Sequence, residues 1–155
     1  MKIKAFFRLL LCSAALILFA ACSKDEDQKA VIDPVGSTYM GDLIVDQTDG
    51  TTYTDKGVKI SVAYDTENAT ATMIFYQVKF AERMPVRLDM TASGVGYTVT
   101  ASNIAIVGNN IVPYAMGGPF EQYTITNLSG TVTGEDMTFT MKCGPYPVSF
   151  KGKAF

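Results

Sequence analysis

Residues 137–151 read MTFTMKC-GP-YPVSFK, and this stretch decides the fold class. On each side of Gly144-Pro145, apolar residues alternate with polar ones, which places every second side chain on one face of an extended strand. Gly-Pro is a turn sequence, and a two-residue connection makes the flanking strands antiparallel neighbours. The stretch therefore predicts a β-hairpin with one buried face.

The same alternation recurs upstream, separated by further turn sequences such as Asp49-Gly50 and Ser93-Gly94. It predicts strands at 58–64, 74–80, 86–91 and 97–102, with Ile74, Tyr76, Val78 and Phe80 on one face of the second run. Helical spacing is not sustained in residues 37–155. Strands in meander order leave two sheet edges, which a closed barrel removes by pairing them. We therefore expect an all-β domain over 37–155, an antiparallel up-and-down barrel of about eight strands, with an open sandwich as the alternative.

Residues 102–120 interrupt this pattern with an apolar, glycine-rich segment. A short strand is expected around Ile104 to Val107. The remainder fits either a lid or plug across the barrel mouth or a plain hairpin with a long return, and the pattern does not separate the two.

The N-terminus has the composition of a cleaved secretory signal peptide over residues 1–21. Basic Lys2, Lys4 and Arg8 precede an apolar run that ends in small Ala20 and Ala21, and the run is too short to span a bilayer as a helix. Residues 22–36 form a polar, acidic stretch without periodicity and are predicted to be a flexible linker.

The sequence Leu18-Phe19-Ala20-Ala21-Cys22 resembles the lipobox of bacterial lipoproteins. This resemblance implies that the Cys22 thiol is lipidated and anchors the protein to a membrane. Ser23 after the cysteine implies sorting to the outer membrane. The acidic run that follows is similar to a signal for export to the cell surface, with the periplasmic face as the alternative.

The composition argues against nucleic-acid binding, histidine-based catalysis and histidine-based metal binding. The chain has no His and a net charge of −2, and loss of residues 1–21 would leave ten basic and fifteen acidic side chains, a net charge of −5. An acidic chain without a basic run argues against nucleic acid as a partner. Without His, the usual general base for a Ser or Cys nucleophile and the usual imidazole metal ligand are missing. We expect no catalytic site, no metal and no cofactor.

Individual residues that carry reactive groups fit the same expectation. Cys143 falls on the apolar phase of its strand and is expected to be core. Asp46, Asp49 and Asp55 lack the ordered ligand spacing of a calcium loop.

Three segments point to a family. The entry GSTYMG at 36–41, LSGTVTG at 128–134 and the ending VSFKGK at 148–153, together with the lipobox, resemble the calycin-like (lipocalin-like) β-barrel lipoproteins of Gram-negative bacteria. The resemblance covers about residues 36–155 and implies an up-and-down barrel without naming a ligand. Because the chain has no Trp, the Gly-x-x-Trp signature of true lipocalins is absent.

Aromatic and methionine side chains on the predicted strands either fill the barrel or line an apolar pocket. Eight residues are the candidates for ligand binding: Phe75, Tyr76, Tyr97, Tyr114, Met116, Phe139, Met141 and Phe150. The first hypothesis is a non-enzymatic outer-membrane lipoprotein whose barrel binds a small apolar or glycan-derived ligand, or a protein partner, at the cell surface. The alternative is a structural or interaction module with a filled core.

Overall fold

The computed structural model describes residues 34–155, so the predicted signal peptide, Cys22 and the linker up to residue 33 lie outside it. These described residues form ten strands and one short 3₁₀ turn, Glu121–Tyr123. The strands are β1 (Ser37–Asp46), β2 (Thr52–Asp65), β3 (Thr70–Val78), β4 (Leu88–Val99), β5 (Ile104–Gly108), β6 (Tyr114–Ala115), β7 (Gly118–Pro119), β8 (Ile125–Thr133), β9 (Asp136–Cys143) and β10 (Tyr146–Ala154).

Eight of these strands form a closed antiparallel barrel. They pair in the order β3-β2-β1-β10-β9-β8-β5-β4, and β4 returns to pair with β3. The first and last strands close the wall in register from Tyr39 opposite Ala154 to Val45 opposite Val148. The up-and-down barrel predicted from the alternating pattern is confirmed, and the open sandwich is not observed in residues 34–155.

The segment 102–120 contributes one barrel strand and one short hairpin. The strand predicted at 104–107 is β5, which pairs with residues 96–99 of β4 and with β8. Further along the same edge of β4, Met90 and Thr91 pair with β6, and β7 folds back on β6. The β6–β7 hairpin therefore continues the wall where β5 ends, which favours the hairpin alternative over a lid.

The loops divide the barrel into two ends. The lower end carries the short turns at 66–69, 100–103 and 134–135, and the upper end carries loops 47–51, 79–87 and 109–124 with the tight turn at 144–145. Most of the connecting residues within 34–155 therefore lie at the upper end.

Large apolar side chains fill the interior. Phe75 lies edge-on to Phe139 with ring centroids 6.1 Å apart, and Phe139 stacks on Phe150 at 5.2 Å. The remaining volume is occupied by branched and methionine side chains from every wall strand. Those with no solvent exposure include Leu43, Val45, Ile60, Met73, Met90, Ile106, Ile125 and Met137.

Paired glycines let β1 and β10 approach closely. Gly41 lies opposite Gly152, and a Cβ on Gly41 would lie 2.1 Å from the carbonyl oxygen of Lys151. A Cβ on Gly152 would lie 2.5 Å from Cζ of the Phe150 ring. Glycine is required at both positions because any side chain would push the two strands apart.

One prediction of side-chain phase is wrong. The alternating pattern placed Ile74 and Tyr76 on the same face as Val78 and Phe80, but the first two face outward and the last two are buried with Phe75. The reason is a bulge in which Tyr76 and Gln77 lie opposite the single residue Asp89 of β4. An extra residue on one strand reverses the phase of everything after it.

Candidate functional site

The eight residues proposed for ligand binding do not form one pocket. Five are buried in the core, where Phe75, Phe139 and Phe150 pack together and Tyr97 contacts Tyr64; the fifth is Met141. Tyr76 lies on the outer face, and Tyr114 and Met116 lie on the β6–β7 hairpin, where they are 55% and 74% exposed.

Two aromatic rings close the upper end. Phe80, from the loop after β3, has no solvent exposure and stacks on Tyr123 of the 3₁₀ turn with ring centroids 4.9 Å apart. Phe120 packs against the same Tyr123 ring at 5.1 Å. Gln47 Nε2 donates to the Phe80 carbonyl at 2.9 Å and holds the loop down from the opposite side. These contacts bring three upper loops together over the interior.

A tyrosine cluster closes the lower end. Tyr64 and Tyr97 meet edge to face at 4.9 Å, and Tyr39 is buried nearby. The Tyr64 hydroxyl is buried without a hydrogen-bond partner among residues 34–155. Burial, reinforced by the neighbouring phenols of Tyr39 and Tyr97, raises the pKa of Tyr64 to about 12.

A buried ion pair joins β2 to the loop between β3 and β4. Asp55 is 2% exposed, and its two carboxylate oxygens accept from Nη1 and Nη2 of Arg87 at 3.0 and 2.9 Å. The Lys79 backbone N–H donates to the same carboxylate at 3.0 Å, and Arg87 Nη1 also donates to the Gln77 carbonyl. The hydrogen bond to Asp55 raises the pKa of Arg87. A bidentate arginine–carboxylate pair of this kind is stronger than an ion pair with a single hydrogen bond.

The ion pair lies where β2 and β3 separate. Their ladder ends at Lys59 opposite Tyr76, and Gln77 then takes a left-handed φ of 51°. Above this point the strands are joined through Asp55, Lys79 and Arg87 instead of backbone pairs. An open depression of about 610 Å³ results on the outer wall, which we name the β2–β3 cleft. Its lining residues are Lys56, Gly57, Val58, Lys59, Tyr76, Gln77, Arg87 and Asp89.

Cationic groups and one aromatic ring dominate the surface of this cleft. Lys59 Nζ lies 4.5 Å from the centroid of the Tyr76 ring, within the range of a cation–π contact. Arg87 remains 42% exposed despite its bonds to Asp55. The Asp89 carboxylate accepts from the Gln77 backbone and side-chain amides, both at 2.9 Å.

Other reactive groups are inactive or dispersed. Burial raises the pKa of the Cys143 thiol to about 12, so the thiol stays protonated near neutral pH, and its Sγ lies 3.5 Å from the Tyr123 carbonyl oxygen. Asp46 and Asp49 each cap their own turn, whereas Asp55 is bound to Arg87. Among residues 34–155, no three His, Cys, Asp or Glu side chains converge as metal ligands. Within the same residues, no helix is long and apolar enough to cross a membrane.

Comparison with protein-family models, with curated proteins and with solved structures gave no match for this chain. The residues above must therefore carry the functional argument by themselves.

Sequence reasoning missed the Asp55–Arg87 pair and the Phe80–Tyr123 stack. The members of these pairs are 32 and 43 positions apart, and no local pattern links them. The one local signal was Asp55 at strand spacing from Tyr53, because a carboxylate on an inward phase requires a buried partner.

Proposed function

We propose that this protein is a lipid-anchored outer-membrane protein, attached through Cys22 and exposed at the cell surface, whose barrel is a non-enzymatic interaction module. The barrel acts through its outer wall. The observation that carries this proposal is the filled interior, which favours the interaction module over a carrier of apolar ligands.

The packed interior of the barrel opposes carriage of a small ligand. A pocket for a small organic ligand has a volume of roughly 300 to 1,000 Å³ and buries most of the ligand. Here the central positions of the barrel are occupied by Phe75, Met73, Met90 and Met137, none of which is solvent-exposed. Both ends are closed, by Phe80 and Tyr123 above and by the tyrosine cluster below.

The anchor and the location rest on the sequence before the barrel. The lipobox-like segment ends at Cys22, and the chain from there to Pro34 is polar and acidic. Several acyl chains on one cysteine hold a protein on a bilayer, since each buried methylene contributes about 0.8 kcal/mol. A tether of this composition leaves the barrel in water at a short distance from the membrane.

Replacement of the acylated cysteine tests the anchor. Cys22→Ala should move the protein from the membrane fraction to the soluble fraction, whereas Cys143→Ala, a matched change at a buried thiol, should leave it in the membrane. Protease added to intact cells should remove the barrel of the parent chain. Retention of Cys22→Ala in the membrane would contradict the anchor, and protection until the outer membrane is broken would place the barrel on the periplasmic face.

Native mass spectrometry of the soluble Cys22→Ala chain, purified without added ligand, tests the filled interior. The expected mass is that of the polypeptide alone. An apolar molecule that co-purifies in stoichiometric amount would return the carrier hypothesis to first place.

A further inference from the structure

We propose that the β2–β3 cleft binds an oxyanion, the carboxylate or phosphate group of a sugar acid, a sugar phosphate or a similarly substituted headgroup. This inference rests on the proposed function in one respect, because it assumes that the barrel acts through its outer wall and names the class of ligand bound there. It does not require the lipid anchor.

The cleft is maintained by features that oppose regular barrel structure. Gln77 adopts a left-handed backbone conformation, which side chains other than Gly, Asn and Asp seldom take. Gly57 has a φ of 67° in a second bulge, where Lys56 and Gly57 lie opposite the single residue Asp42. Between these two bulges, the buried Asp55 carboxylate binds the Arg87 guanidinium. Two bulges and the Asp55–Arg87 pair therefore meet at this point of the wall.

The acidic groups near the cleft already have partners. Asp55 accepts from Arg87 and from the Lys79 backbone, and Asp89 accepts from both amides of Gln77. Asp42 accepts from the Gly57 N–H at 3.4 Å. These carboxylates hold the two bulges and the ion pair in place.

The cationic groups are less satisfied. Within residues 34–155, neither Lys56 nor Lys59 has a carboxylate oxygen within 4.0 Å of its ammonium group. Arg87 uses Nη1 and one hydrogen of Nη2 for Asp55 and Gln77, and its Nε–H has no acceptor in the same part of the chain. The free edge of the guanidinium, formed by Nε–H and the second hydrogen of Nη2, is planar and can donate two parallel hydrogen bonds to a carboxylate or a phosphate.

Charge is distributed unevenly over the barrel. Residues 34–155 carry eight Lys and Arg against eleven acids, yet positions 56–87 within them carry five of the basic residues and only three of the acids. A cationic cleft on an acidic protein attracts anions to one place and repels them elsewhere.

The Tyr76 ring favours an oxyanion carried by a ring-shaped, polyhydroxylated molecule over free inorganic phosphate. The ring lies half-buried on the cleft wall, and Lys59 extends over it. An aromatic face offers apolar contact to the C–H face of a sugar ring, and the Lys59 ammonium, which covers this face in the unbound protein, moves off the ring to meet the anionic substituent.

The test is a ¹H–¹⁵N NMR titration of the soluble Cys22→Ala chain at constant ionic strength. The probes are glucuronate, glucose 6-phosphate, inorganic phosphate and uncharged glucose, with phosphatidylglycerol and phosphatidylcholine vesicles in separate co-sedimentation samples. We expect shifts confined to the amides of Lys56–Lys59, Tyr76, Gln77 and Arg87–Asp89 with a charged sugar, and none with glucose. Sedimentation with phosphatidylglycerol alone would assign the oxyanion to a lipid headgroup, with the same cleft as its site.

Matched variants distinguish binding at the β2–β3 cleft from attraction of anions by the net charge of the protein. Lys56→Ala/Lys59→Ala should weaken binding at least about tenfold, because it removes two charge-assisted contacts. Lys142→Ala/Lys151→Ala changes the net charge equally on other strands and should leave affinity unchanged. Tyr76→Ala should weaken the sugar ligands more than inorganic phosphate.

Three results would overturn the proposal: equal losses in both double variants, equal shifts with glucose, or no response to any probe. None of them bears on membrane fractionation of Cys22→Ala, so a failure of the cleft and a failure of the anchor remain distinguishable.

Discussion

The two ends of this barrel are closed in different ways. At the lower end the turns are short, and side chains on the strands themselves fill the opening, with Tyr64 and Tyr97 in edge contact. At the upper end the closure comes from loop residues, since Phe80 and Tyr123 stack over the interior. The lower end depends on local strand geometry, whereas the upper end depends on where two long loops are held.

The two ends also differ in their side-chain hydrogen bonds. The upper loops are held by the Asp55–Arg87 pair and by Gln47 bound to the Phe80 carbonyl. The lower cluster leaves the Tyr64 hydroxyl buried and without a partner in residues 34–155. In this barrel the upper loops are positioned by specific polar contacts. The lower closure is built on strands that are already paired, and it keeps its shape with one unsatisfied hydroxyl.

The largest expected effect comes from removal of the upper closure. Phe80→Ala should lower the free energy of unfolding by about 4 kcal/mol, because a fully buried phenyl ring is lost and a cavity remains. Urea unfolding followed by circular dichroism measures the change. Phe155→Ala is the control, since that ring is 72% exposed. A loss below about 1 kcal/mol for Phe80→Ala would mean that the stack does not close the barrel.

A smaller loss is expected when the ion pair is broken. Asp55→Ala leaves Arg87 and the Lys79 N–H without their acceptor and should cost about 3 kcal/mol, less than a fully buried pair because Arg87 is partly exposed. Asp89→Ala, an exposed carboxylate bound to Gln77, should cost about 1 kcal/mol.

A double-mutant cycle isolates the contact itself. Asp55→Ala with Arg87→Ala should cost less than the sum of the two single changes. Additive losses in urea unfolding would show that the carboxylate and the guanidinium do not stabilise each other.

The smallest effect, opposite in sign, is expected at the lower end. Tyr64→Phe removes a buried hydroxyl that has no partner within residues 34–155 and should raise the free energy of unfolding by about 1 kcal/mol at neutral pH. Tyr114→Phe, at an exposed position, should change it little. Destabilisation by Tyr64→Phe would show that the hydroxyl is hydrogen-bonded in solution.

Alkaline pH gives a second measurement on the same residue. The pKa of Tyr64 is raised from its ordinary value of 10.0 to about 12 by burial, so between pH 10 and 12 the unfolded chain loses this proton while the folded chain keeps it. Stability must fall with rising pH across that window. Urea unfolding from pH 9 to 11.5 should show a shallower fall for Tyr64→Phe than for the parent chain. An identical slope would contradict the raised pKa.

The predictable part of the fold came from short-range pattern. Alternation in 137–151 places Phe139, Met141, Val148 and Phe150 on one buried face, and the structure has them there. A period of two depends only on neighbouring residues, and most turns between strands carry their own sequence signals. The turn predicted at Ser93-Gly94 is wrong, because these residues form a bulge opposite Thr72 inside the continuous strand β4. The pattern failed at Gln77, because a bulge depends on the contact between Gln77 and Asp89 twelve positions away.

The sequence by itself determined the all-β class, the up-and-down order of the strands and the lack of histidine. Its lipobox-like segment and the acidic run after Cys22 predict a surface anchor, which stays a prediction. The tertiary structure alone decided that the interior is filled, that loops close one end and side chains the other, and that β2 and β3 part at a cationic cleft. Each of these depends on residues tens of positions apart, such as Asp55 with Arg87, whose contact exists only once the barrel has closed.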